Sequence, residues 1–115
     1  MTDADDVIQR IEELPDGQCI TLAGEVDLSR SPGLRIRLLQ LVARGLDRLV
    51  VDLTNVPYMD SSGVATLVEA LQHQRRHGAK MVLFGLQPKV RSIFEIARLD
   101  TVFTIVDDVE QARTA

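Results

Sequence analysis

Between Arg48 and Leu71 the spacing of apolar residues changes period, and few architectures accommodate both halves of that change. Arg48-Leu-Val-Val-Asp-Leu53 is apolar with little alternation, the pattern of a strand covered on both faces, and it predicts a central place in a sheet. Beyond Thr54-Asn-Val-Pro-Tyr-Met and Asp60-Ser-Ser-Gly, the residues Val64, Leu67, Val68 and Leu71 recur at i, i+3, i+4 and i+7. That is the stripe of a helix buried along one side. A buried strand followed by an amphipathic helix is half of a crossover unit.

The rest of the chain repeats the alternation. Ile8 to Leu14 and Gln18 to Gly24 read as strands joined by a turn at Pro15-Asp-Gly17, with Cys19, Thr21 and Ala23 on one face of the second and Ile20 and Leu22 on the other. Ser31 is placed to cap a helix that Pro32 begins and Gly45 ends, with Leu34, Leu38, Leu41 and Val42 on its buried side. The Val64 helix stops at Gly78 after His73, Arg75, Arg76 and His77, a cationic last turn that complements the carbonyl end of the helix dipole. Lys80 to Phe84 is a second buried strand. Pro88 opens a helix with the stripe Val90, Ile93, Phe94 and Ala97, Val102 to Val106 is a last strand, and Asp107-Asp-Val-Glu starts a terminal helix. The order predicts an α/β sandwich with a mainly parallel sheet, made mixed by the N-terminal hairpin. No repeat or linker divides residues 1–115, which read as one domain.

Composition limits what such a domain does. Thirteen Lys and Arg against seventeen Asp and Glu give a net charge of -4, and aromatic residues make up 3% with no Trp. Nucleic acid is therefore a poor partner, because neither a basic surface nor stacking rings are in supply. No apolar run approaches the roughly 20 residues that span a bilayer. The start Met1-Thr-Asp-Ala-Asp-Asp is acidic where a signal peptide is basic and then apolar, so a cytoplasmic location is expected, without membrane insertion. Cys19 is the lone cysteine, which excludes an internal disulfide. A very small enzyme and a protein-binding module remain.

Catalytic equipment is scarce. The chain has no phosphate-binding Gly-x-x-x-x-Gly-Lys-Ser/Thr loop, no dinucleotide-binding Gly-x-Gly-x-x-Gly and no Gly-x-Ser-x-Gly nucleophile turn. His73 and His77 stand one helical turn apart, a metal-ligand spacing, but no Glu follows His73, and they read as solvated residues at a helix end. Cys19 reads as a small core residue. Glu25 and Asp27, just after the second strand, are the raw material of an acid-base pair without a nucleophile nearby, and a solvated loop is the simpler reading. No catalytic residue, metal or cofactor is assigned. The informative segment is Asp60-Ser61-Ser62-Gly63. Its first three residues all suit an N-cap, so it marks at least a well-capped helix. A helix N-terminus, with free amides and the positive dipole end, is also where a phosphate on a serine is best tolerated.

Gly24-Glu-Val-Asp27, Val50-Val-Asp-Leu53, Tyr58-Met-Asp-Ser-Ser-Gly-Val64 and Val82-Leu-Phe-Gly-Leu-Gln-Pro88, followed by Val90 and Phe94, together resemble the STAS domain of bacterial anti-sigma-factor antagonists. The resemblance runs from about residue 15 to 107, in order and at the family's spacings. It implies a mixed sheet of four or five strands with helices packed around it, and a partner switch. In that family the unmodified antagonist binds an anti-sigma factor that is also a serine kinase, which frees a sigma factor. Phosphorylation by the kinase reverses the binding and a serine phosphatase restores it. The family's phosphorylated serine falls on Ser61, flanked by Asp60, Ser62 and Gly63, with Glu25 and Asp27 in the adjoining loop. A second branch of the family serves as a cytoplasmic subunit of lipid-asymmetry ABC transporters, contacting the ATPase. In either branch the outward face of the Val64 helix, with Glu69, Gln72 and Arg76, is a candidate for partner contact.

Overall fold

The computed structural model describes residues 7–115, so the acidic start from Met1 to Asp6 lies outside the described residues. Strands β1 (Ile8–Leu14), β2 (Gly17–Ala23), β3 (Arg48–Asn55), β4 (Lys80–Phe84) and β5 (Thr104–Val106) form one five-stranded sheet in chain order. β1 pairs antiparallel with β2, and every later pairing is parallel. The connections are α1 (Ser31–Val42), α2 (Ser61–Arg76) and α3 (Pro88–Ile96), with α4 (Val109–Thr114) after β5. The sheet is therefore mixed and mainly parallel, as the apolar periods predicted.

Because the strands follow one another without a reversal of order, successive crossovers of one hand leave α1, α2 and α3 on the same face. Leu49, Val51 and Leu53 of β3 and Met81 and Leu83 of β4 meet the buried residues of those helices in the main core. The alternate residues Cys19, Val50, Val82 and Phe84 face the other way, under Ala112 of α4. This double cover explains the missing alternation in β3. It also has a functional consequence: a sheet wound in one direction has no point of reversed strand order, the place where open α/β sheets form ligand crevices.

Three details differ from the sequence reading. Val68 is only half-buried, and the packed side of α2 runs instead through Gly63, Thr66, Ala70 and Gln74 alongside Val64, Leu67 and Leu71. Gln74, outside the expected stripe, lies 1% exposed and donates to the carbonyls of Leu46 and Lys80, so the packed side of α2 includes an amide. Ala97 ends α3 and is exposed, leaving Val90 and Phe94 as that helix's buried residues. β5 spans only Thr104–Val106, because Leu99–Thr101 form a short 3-10 turn and Val102 continues from it, its amide bonded to the Leu99 carbonyl.

Among the described residues, no helix is long and apolar enough to cross a membrane. Buried Arg48 fastens α4 down. Its Nε donates to Asp16 Oδ2 at 2.9 Å, and its Nη1 donates to the carbonyl oxygens of Ala112 at 3.1 Å and Ala115 at 2.7 Å.

Candidate functional site

The segment Asp60-Ser61-Ser62-Gly63 sits where the chain leaves the sheet and enters α2, and each of its residues has a different task. Asp60 is the N-cap in extended conformation. Its Oδ1 accepts from the amide of Ser62 at 2.9 Å, from the amide of Gly63 at 3.3 Å and from the hydroxyl of Ser62 at 2.5 Å. Two otherwise orphaned amides of the first turn are thereby satisfied. Oδ2 reaches across to the amide of Leu28 at 3.0 Å, tying the loop after β2 to the start of α2. The Ser62 hydroxyl, followed by the amides of Gly63, Ser62 and Leu28, holds the Asp60 carboxyl below its ordinary range against a smaller opposing pull from desolvation.

Ser62 is half-buried, and its hydroxyl lies 2.8 Å from that of Ser31. A hydroxyl has one proton, and Ser62 directs its own at Asp60, so Ser31 is the donor to Ser62. The sequence reading made Ser31 the cap of α1. Instead Ser31 is the first residue of the helix, 4% exposed, and the N-cap position belongs to Arg30, whose side chain makes no cap bond. The amides of Arg30 and Ser31 are satisfied by the carbonyl of Asp27 at 3.0 and 2.8 Å, which leaves the Ser31 side chain free to bridge to α2.

Gly63 is required by space. A Cβ there would lie 2.7 Å from Met59 Cγ and 2.8 Å from both Val26 Cγ1 and the Val26 carbonyl oxygen, distances that carbon atoms do not tolerate. The contact exists because Val26 and Met59 form an isolated parallel bridge, with the Val26 amide donating to Tyr58 at 3.0 Å and the Asp60 amide to Val26 at 3.2 Å. The two loops are thus one unit. Gly24, with φ +88, makes the turn that delivers Glu25, Val26 and Asp27 to it.

Ser61 is the exposed member of the set. It is the first residue of α2, its side chain on the solvent side of a well-capped N-terminus. Glu25 is exposed in the adjoining loop. Asp27 folds back on its own turn, accepting from the Ser29 hydroxyl at 2.7 Å and from the amides of Ser29 and Arg30 at 3.1 and 3.3 Å. The Ser29 hydroxyl, then these amides, keep its carboxyl below the ordinary range despite some desolvation. Its oxygen is committed to holding the loop, which is a positioning task rather than acid-base chemistry.

Of the three candidate contact residues on α2, Gln72 and Arg76 are exposed and Glu69 is half-buried. The Glu69 carboxylate takes a two-pronged bond from Arg35 of α1, Nε at 2.6 Å and Nη2 at 2.8 Å. That bond lowers the carboxyl and raises the guanidinium from their usual values. His73 and His77 stack at 4.6 Å with the His77 Nδ1 2.9 Å from the His73 carbonyl oxygen, and no third ligand residue joins them among the described residues. Cys19 is buried, which raises its thiol pKa and suits an inert packing residue.

The sequence reading missed Leu28. It is 73% exposed beside the site, and with Pro32 and the 56% exposed Ile36 of α1, Ala65 of α2 and the Arg35–Glu69 pair it lines a shallow groove of about 430 Å³. The available signal was an apolar residue set between the polar Asp27 and Ser29. Leu28 and Ile36 are thus two large apolar side chains left exposed along one groove.

A family model described as the STAS domain matches residues 9–112. The anti-sigma-B factor antagonist of Listeria monocytogenes is 37% identical over 87 residues, 75% of each chain. Among solved structures, an anti-sigma factor antagonist from Mycobacterium paratuberculosis superposes with a TM-score of 0.86 over 99% of this chain and 97% of that one, at 21% identity. The Bacillus cell fate determinant SpoIIAA in its phosphorylated form gives 0.72 over 89% and 92%, at 20% identity. At those identities the two structures speak for the fold.

Proposed function

The chain belongs to the STAS domain family, and from that premise we propose that it is an anti-sigma-factor antagonist, a binding module rather than a catalyst. In this reading it acts in the cytoplasm as a single domain, binds an anti-sigma factor of the serine-kinase type and so frees a sigma factor. Phosphorylation of Ser61 by that kinase reverses the binding, and a serine phosphatase restores it. The observation that carries the reading is the division of labour in Asp60-Ser61-Ser62-Gly63: cap, exposed hydroxyl, interhelical tie and close approach. Of two adjacent serines, Ser61 is exposed to solvent, while the hydroxyl of Ser62 is engaged on both sides.

The charge mechanism follows from the surroundings. A phosphoserine adds roughly two negative charges. At Ser61 it stands next to Asp60 and near the loop of Glu25 and Asp27, on a surface that also carries the apolar Leu28. Placing it against a docked partner brings like-charge repulsion and desolvation together, and release follows. Gln72 and Arg76, with the Arg35–Glu69 pair, extend the proposed contact along α2. The named relatives favour this branch over the transporter branch.

The test is direct. The protein is incubated with ATP and the kinase-type anti-sigma factor encoded nearest its gene, and intact mass is compared for wild type and Ser61→Ala. One phosphate on the wild type and none on the variant is expected; equal incorporation removes Ser61 from the mechanism. Ser61→Asp should bind the unmodified partner at least tenfold more weakly, by a charge effect of the size seen for like charges at interfaces.

A further inference from the structure

We propose that Asp60 is a charge-sensitive latch: a phosphate on Ser61 displaces its carboxylate and thereby frees the Leu28 end of the neighbouring loop. The inference rests on the reading of Ser61 as the phosphoacceptor and adds to it a route by which the modification reaches an apolar contact residue. Four bonds converge on the Asp60 carboxylate. Oδ1 takes the amides of Ser62 and Gly63 and the Ser62 hydroxyl, while Oδ2 takes the amide of Leu28 from 32 positions away in the chain.

A phosphate on Ser61 is a stronger acceptor set on the adjacent residue. It competes for the same first-turn amides, because these point out of the helix N-terminus toward whichever anion lies nearest. It also places about two charges beside a carboxylate that its hydrogen bonds keep ionised. Both effects push Asp60 outward, and Oδ2 then leaves the Leu28 amide. The rest of the loop has other fastenings. Val26 keeps its bridge to Met59, and Asp27 keeps its turn through Ser29 and Arg30. What loosens is therefore confined to Leu28 and its immediate neighbours, the residue whose side chain stands 73% exposed on the groove beside Ile36.

The experiment needs no partner. Amide hydrogen exchange is followed by NMR in the wild type and in protein carrying phosphoserine genetically encoded at position 61. The Leu28 amide should exchange at least tenfold faster in the phosphoprotein, with the amides of Val26 and Val51 unchanged. Asp60→Ala should raise Leu28 exchange by itself, and phosphate at 61 should then add nothing. Asp60→Asn keeps a capping oxygen without the charge and serves if the alanine variant does not fold; in it the phosphate effect should shrink at least threefold. A Leu28 rate unchanged within twofold in the phosphoprotein, or an undiminished phosphate effect in either Asp60 variant, overturns the latch. Such a result leaves the Ser61 reading standing, since that reading is decided by phosphate incorporation and partner affinity.

Discussion

α1 and α2 both begin with a serine, and the two serines have opposite fates. Ser31 is 4% exposed and spends its hydroxyl on Ser62, whereas Ser61 faces solvent at the head of the neighbouring helix. The capping arrangements differ in the same sense. α2 has an aspartate N-cap with side-chain bonds to its first turn, while α1 has Arg30 in that position and draws on the carbonyl of Asp27. Residue type and helix position are the same in both, so packing alone decides which serine is available to another molecule.

The contrast is broken most severely at Gly63. Gly63→Ala drives a methyl group into Met59 and Val26, and should cost about 2–3 kcal/mol in urea denaturation, the upper part of the usual range for overpacking. An unchanged midpoint would mean that the two loops are not pressed together. Asp60→Ala comes next, at about 1–2 kcal/mol, through loss of a side-chain cap. Its pH dependence has a definite sign. Asp60 is lowered in the folded state by the Ser62 hydroxyl and the backbone amides, so its contribution is in place above the unfolded carboxylate value of about 4 and fades as pH falls through the folded one. Asp60→Asn should accordingly flatten the acid limb of the stability profile, and a limb identical to that of the wild type would refute the assignment.

Smaller effects sharpen the comparison rather than break it. Ser31→Ala should destabilise by about 1 kcal/mol, one buried hydrogen bond, and Ser62→Ala combined with it should add less than the sum of the two. Additive losses would show that the hydroxyls do not form a pair. Ser61→Ala should stay within about 0.5 kcal/mol of wild type, as befits an exposed residue. A loss as large as that of Ser31→Ala would erase the distinction between the two serines.

Much of this arrangement is legible in the sequence because the apolar period reports which surfaces are covered. Leu34, Leu38, Leu41 and Val42 are buried as their spacing required, and β3 is central as its unbroken apolar run required. A cap among Asp60, Ser61 and Ser62 was recognisable because the geometry of capping is local, and the structure gives the position to Asp60. Val68 and Gln74 show where period reasoning stops. The position of the packed face depends on how α2 lies across the sheet, and a buried amide is acceptable there because two carbonyls stand ready for it. Ala97 misled for a related reason, since a helix that ends one residue early no longer carries its stripe inward.

The amino-acid sequence by itself determined the order of elements, the identity of the central strand and the place of Ser61 at a helix start. Those properties follow from interactions between residues a few positions apart. Only the tertiary structure decided that Asp60 reaches Leu28, that Ser31 engages Ser62 and that Gly63 has no room for a side chain. Each of these involves a contact between residues more than thirty positions apart, that of Gly63 being with Val26 alongside the nearby Met59. Such contacts exist only after the loops following β2 and β3 have been brought side by side by their parallel pairing.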